Sequence, residues 1–160
     1  METVIQLNSE ARLSPHFTLG ELTKTSHKGV YNIPSHEAIA NLKHLCEWLE
    51  SLRVRACTPI IINSGYRSPQ LNRKVGGAPT SNHLTGCAVD IRVSGMEQLI
   101  LYAAILIQYA NETHQDFDEL LIERRSASPL GSSKNRHGAI WLHFAVRPTA
   151  NRRKIDFLSV

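Results

Sequence analysis

Apolar residues recur at spacings of three and four through Ile39, Leu42, Leu45, Leu49 and Leu52, which is one face of an α-helix. Pro34-Ser35 stands just ahead of this stripe and supplies a start signal, so the pattern predicts a helix over 35–53. A second long helix is predicted from Met96 to about Ala110. Elsewhere the period changes to two. From Cys87 to Val93, Val89, Ile91 and Val93 fall on one side of a strand and Ala88, Asp90 and Arg92 on the other. From Ala139 to Val146, Ile140, Leu142, Phe144 and Val146 form one face, and Ala139, Trp141, His143 and Ala145 the other. Asp90 and His143 therefore both project away from the aliphatic faces. Shorter elements are predicted as well: a buried strand over 59–63, containing Ile60-Ile61-Ile62, and a strand over 117–123. Ser68-Pro69 opens a short helix that Gly76-Gly77-Ala78-Pro79 breaks, and Thr18 with Glu21 reads as a capping box for a helix near 18–25. The Ser-, Gly- and Lys/Arg-rich segment 124–138 reads as a long hairpin loop between two strands that pass the same site. No repeat, low-complexity tract or linker divides the chain, so residues 1–160 are expected to form one domain.

Composition narrows the class. The 160 residues are 42% hydrophobic and 20% charged, enough for a single domain with a core. No apolar run approaches the ~20 residues that cross a bilayer, so no membrane association is expected. The opening METVIQLNSEARL lacks a basic stretch followed by an apolar one, and a cytoplasmic location as synthesised is expected. The net charge is +4 and the pI about 9.2. The basic residues lie in short clusters, Arg124-Arg125, Lys134-Asn135-Arg136 and Arg152-Arg153-Lys154. These read as solvated loop charge, so no nucleic-acid partner is expected. Cys46, Cys57 and Cys87 are odd in number and not at metal-ligand spacing, and are read as reduced thiols.

Candidate chemistry centres on Ser81-Asn82-His83, Gly86, Asp90 and the later His143. Two imidazoles and one carboxylate are the ligand set of a catalytic zinc that keeps a position open for water. An ionised Asp inside a strand is costly unless it is paired or bound to a cation. Gly86 allows the chain to turn back, so that His83 and Asp90 could reach one ion.

The wider context of these residues is distinctive. Ser64-Gly65-Tyr66-Arg67-Ser68, Leu71-Asn72, Gly76-Gly77 and the run Ser81-x-His83-x-x-Gly86-x-Ala88-x-Asp90 resemble the zinc D-alanyl-D-alanine carboxypeptidase family. That family is grouped with lysostaphin-type enzymes and the hedgehog fold, and its phage and bacterial members cut peptidoglycan stem peptides. The resemblance begins near Leu13–Leu22, continues through Asn32-Ile33-Pro34, and ends with Phe117–Glu123 and Trp141-Leu142-His143. It implies an α+β, hedgehog/DD-peptidase-like fold, with a central antiparallel sheet and helices packed on one face. It also implies a zinc peptidase, a carboxypeptidase or an endopeptidase, such as a phage-type lysin, that takes peptidoglycan peptides as substrate; a monomer is expected.

The resemblance assigns His83, Asp90 and His143 to Zn2+ and Arg67 to the oxyanion. In many relatives an acidic residue lies three positions before the final His ligand; here that position is Ile140, on the opposite strand face. Glu123, which closes its own strand, is then the candidate base, with His137 in reserve. Ser81, Tyr66 and Trp141 are candidates for shaping the substrate site. Two other functions stay open: a non-catalytic zinc-binding module of the same fold, and a basic binding protein whose His/Asp set is structural.

Overall fold

The structure, a computed structural model, describes residues 7–125, 135 and 138–160. Elements follow the sequence in the order β1 (Arg12–Ser14), β2 (Phe17–Thr18), α1 (Leu19–Thr23), α2 (His36–Ala56), β3 (Ile62–Ser64), α3 (Pro69–Lys74), β4 (Ala88–Arg92), α4 (Met96–Thr113), β5 (Glu119–Arg124), β6 (Ile140–Ala145) and β7 (Lys154–Ser159). A short 3-10 helix, Asn82–Thr85, precedes β4. The helix starts have the expected chemistry. Thr18 and Glu21 form a reciprocal capping box on α1, Ser35 accepts from the Ala38 amide at the start of α2, and Ser68 with Pro69 starts α3.

The main sheet runs β3-β4-β6-β5-β7. Its first four strands pair antiparallel. The aliphatic faces of β4 and β6 pack with the stripes of α2 and α4 into one core, in which Leu42, Leu49, Val89, Ile91, Leu99, Leu142 and Phe144 are all fully buried. The α+β architecture expected from the sequence is the one observed.

Three details differ. The sheet is mixed, because β7 joins in parallel to β5. The sequence pattern gave no element there: every residue of β7 is exposed, so backbone pairing holds the strand and burial leaves no signal. A two-stranded ribbon, β1-β2, was likewise not anticipated. The predicted strand at 59–63 is shifted to Ile62–Ser64. It is an edge strand, with Ile60 and Ile62 buried but Ile61 44% exposed. Among the described residues no helix is long and apolar enough to cross a membrane.

Candidate active site

Strand register assembles the site. Asp90 on β4 lies directly opposite His143 on β6, so the two side chains are cross-strand neighbours on the face away from the core. A slip of one residue would send both into the aliphatic layer. His83 arrives by a different route. It sits in the 3-10 helix, which ends at Gly86 in the left-handed conformation (φ 74°). A Cβ at Gly86 would lie 2.5 Å from the Ala38 carbonyl oxygen in the first turn of α2. Only glycine satisfies both the turn and this approach.

The three side chains are buried, and one ligand atom from each lies within 4.8 Å of the others. The His83 and His143 ring centroids are 5.2 Å apart. Asp90 Oδ1 is 3.4 Å from His83 Nε2 and 3.0 Å from His143 Nδ1. His83 Nδ1 is 2.7 Å from the Gly65 carbonyl oxygen. A carbonyl only accepts, so Nδ1 carries the proton and the Nε2 lone pair faces Asp90. Burial, only partly offset by Asp90, lowers the His83 pKa and keeps the ring neutral.

His143 is oriented from behind by Glu119, whose Oε1 lies 3.2 Å from Nε2. Burial opposes charging this ring, but the hydrogen bonds to Asp90 and Glu119 outweigh it and raise its pKa. Burial would also raise the Asp90 carboxyl, yet the two imidazoles hold it well below the usual carboxylate range. Two ring nitrogens converging on one carboxylate, each ring fixed through its far nitrogen, are the donor set that a small divalent cation requires once His143 Nδ1 has given up its proton.

The acidic residues of β5 bracket this group. Leu121 lies opposite His143, so Glu119 and Glu123 reach it diagonally from either side. Glu123 points into the site: Oε2 accepts from Trp141 Nε1 at 2.8 Å, and Oε1 is 3.8 Å from His143 Nδ1. It does not turn out toward Arg124 and Arg125. Burial raises its pKa. Arg67 approaches from the other side, with Nη2 3.3 Å from Asp90 Oδ2, Nε 3.2 Å from Ser64 Oγ and Nη1 3.4 Å from Asn72 Oδ1. Arg67, His83, Asp90, Glu119, Glu123 and His143 line a cleft of about 750 Å³.

Of the remaining candidates, Ser81 and Trp141 also line the cleft. The Ser81 hydroxyl accepts from the His83 amide and so caps the 3-10 helix. Tyr66 does not line the cleft. Its side chain is 7% exposed within the hydrophobic core, and its backbone amide and carbonyl tie the Arg67 loop to Leu22 and Asn32. His137 lies outside the described residues.

Sequence reasoning passed over the groups behind the site. Asp118 is fully buried. It takes Arg152 Nε and Nη2 at 3.0 and 2.8 Å, Arg147 Nε at 3.2 Å and Asn82 Nδ2 at 2.7 Å. Asn82 then donates to Glu119 at 2.6 Å. The available signal was the alternation Glu119, Leu121, Glu123, which sets both acids on the face of His143.

Comparison with known proteins fits this geometry. Residues 15–124, over two thirds of the chain, match the sequence profile of the family described as Peptidase M15. The chain belongs to the Peptidase M15 family. The matched stretch includes Arg67, His83, Asp90, Glu119 and Glu123 and stops ahead of β6, which carries His143. Among solved structures, the chain is similar to the L-Ala D-Glu endopeptidase ChiX of Serratia marcescens, with 17% identity over 75% of this chain and 94% of that one and a TM-score of 0.41. No curated protein matches the sequence.

Proposed function

We propose that this M15 chain is a zinc-dependent peptidase that hydrolyses peptide bonds in peptidoglycan stem peptides. The observation that carries this is the convergence of His83 Nε2, Asp90 and His143 Nδ1 on one point of the cleft, with each ring held through its other nitrogen by Gly65 O or Glu119. Zinc held by these three side chains supplies Lewis acidity and a water acidic enough to react near neutral pH.

The chain's own groups do the rest. Glu123, raised in pKa by burial and fixed by Trp141, takes the proton of the attacking water and returns it to the departing amine. Arg67 has its guanidinium fixed by Ser64, Asn72 and Asp90. It remains cationic and stabilises the developing oxyanion. Trp141 walls the cleft beside the base. Ser81 secures His83 through its backbone. The same constellation supports a carboxypeptidase or an endopeptidase.

The test is digestion of purified muropeptides with and without chelator, read by mass spectrometry. Chelator-sensitive cleavage is expected. Glu123→Gln keeps the side-chain size and should retain zinc while the rate falls by roughly 10²–10⁴-fold, the scale of a lost general base. Near-normal cleavage by that variant would move the base elsewhere, with His137 the next candidate. Zinc binding without cleavage by the wild type would instead indicate a non-catalytic zinc module.

A further inference from the structure

One end of the cleft carries cations with donors to spare. Arg147, Arg152 and Lys154 line it beside Asn82 and Glu119. The first two are anchored from behind by Asp118: Arg152 through Nε and Nη2, Arg147 through Nε, which also reaches Asn82 Oδ1 at 2.9 Å. This leaves both terminal nitrogens of Arg147 and Nη1 of Arg152 without a hydrogen-bond partner among the described residues. Lys154 has no ion-pair partner among them either. The two acids in contact with these guanidinium groups are already engaged. Asp118 already serves two guanidinium groups, and Glu119 is engaged by His143 and Asn82. Guanidinium groups fixed at one edge and free at the other are preorganised for an incoming carboxylate.

We propose that Arg147, Arg152 and Lys154 form an anion subsite that binds a free carboxylate of the peptide, close to the bond to be cleaved. The subsite rests on the peptidase function proposed above and supplies its specificity. Arg152 Nη2 is 3.5 Å from Glu119 Oε2, and Glu119 holds His143. A single side chain therefore separates the cations from the ligand set, which suits a carboxylate on a residue adjoining the scissile bond. Stem peptides offer several such groups, among them the α-carboxylate of a γ-linked D-glutamate and the terminal carboxylate of D-alanine. Neutralising either by amidation removes the charge and leaves the shape.

The experiment compares two pairs of peptides, L-Ala-D-Glu with its γ-carboxyl amidated against the same peptide amidated at the α-carboxyl too, and D-Ala-D-Ala against its C-terminal amide. Dissociation constants are measured on the zinc-loaded Glu123→Gln protein and kcat/KM on the wild type. The acid of one pair should bind about tenfold or more tightly than its amide, with the preference shrinking as salt rises. The pair that discriminates identifies the carboxylate. Lys154→Ala, at an exposed residue remote from the core, should cut that preference about threefold, with Lys154→Arg restoring it. Equal binding of acid and amide in both pairs overturns the subsite even if cleavage proceeds. An acid preference in binding with no cleavage by the wild type upholds the subsite and overturns the peptidase.

Discussion

Glu119 is the residue whose replacement best tests how the site is built. Its Oε1 accepts the Nε2–H of His143 at 3.2 Å and an amide hydrogen of Asn82 at 2.6 Å, and the side chain is only 15% exposed. The carboxylate therefore fixes the ring with Nδ1 toward Asp90 and makes that nitrogen more basic. Glu119→Ala removes both effects. Loss of such an outer partner weakens metal binding by about 10–100-fold, or ~1.4–2.8 kcal/mol. Glu119→Gln keeps an accepting oxygen but loses the charge, and should fall between wild type and Ala, at about three- to tenfold weaker. Glu123→Gln should lose less than Glu119→Ala, because Glu123 Oε1 stands 3.8 Å from His143 and makes no hydrogen bond to it. The assay is zinc competition against a chromophoric chelator on purified protein, with thermal unfolding of the zinc-free proteins as the check on folding. Asn82 also donates to Asp118 at 2.7 Å, a bond that none of these substitutions removes, so the local scaffold is expected to survive. If Glu119→Ala binds zinc within about twofold of wild type, Glu119 does not orient His143, and the ligand set is wrong or assembled differently.

Other outcomes follow from the same geometry. Because its carboxylate neighbours raise the His143 pKa, zinc must displace a proton from Nδ1. Affinity should then rise with pH by up to tenfold per unit around neutrality, with about one proton released in calorimetry run in buffers of different ionisation enthalpy. A pH-independent affinity would refute this. Burial pushes the Asp118 carboxyl up, but the bonds from Arg152 and Asn82 bring it down to about 2 from 3.8. A lowered folded pKa gives stability that is complete above pH 3.8 and is lost as pH falls toward 2. Of order 2 kcal/mol of wild-type advantage over Asp118→Asn should therefore disappear across that window in denaturant titrations. Gly86→Ala forces a side chain into the left-handed region and against the Ala38 carbonyl. It should lower stability by about 2 kcal/mol or more and weaken zinc binding through His83; an unchanged melting temperature would count against the packing described.

Legibility in the sequence followed burial. Where a strand hides one face, as at Val89/Ile91 and Leu142/Phe144, the alternation told which way Asp90 and His143 point, and the helical stripe of α2 marked its core side. Strand β7 is exposed throughout and is ordered by hydrogen bonds to β5, an interaction that leaves no compositional trace. Register was equally invisible. Nothing in the spacing of 117–123 and 139–146 says that Leu121, and neither Glu119 nor Glu123, sits opposite His143. The basic run Arg152-Arg153-Lys154 reads as solvated loop charge. Arg152 and Lys154 are solvent-exposed, as that reading expects, but Arg152 also reaches the fully buried Asp118 and Lys154 lines the cleft, which spacing alone does not tell.

The same register explains how the chain manages with Ile140 where many relatives carry an acid. On β6, position 140 belongs to the core face, and Ile140 packs against the core cluster. A carboxylate there would be partly buried against aliphatic side chains, which disfavours its charged form. The neighbouring strand solves the problem from the correct side. Pairing Glu123 with Trp141 brings a carboxylate to the edge of the ligand group, and the indole N–H fixes one oxygen and leaves the other facing His143. Burial then raises its pKa, the direction that a base working near neutral pH requires. If Glu123 is the base, as proposed, β5 delivers from across the ladder the carboxylate that many relatives carry three residues upstream of the last histidine.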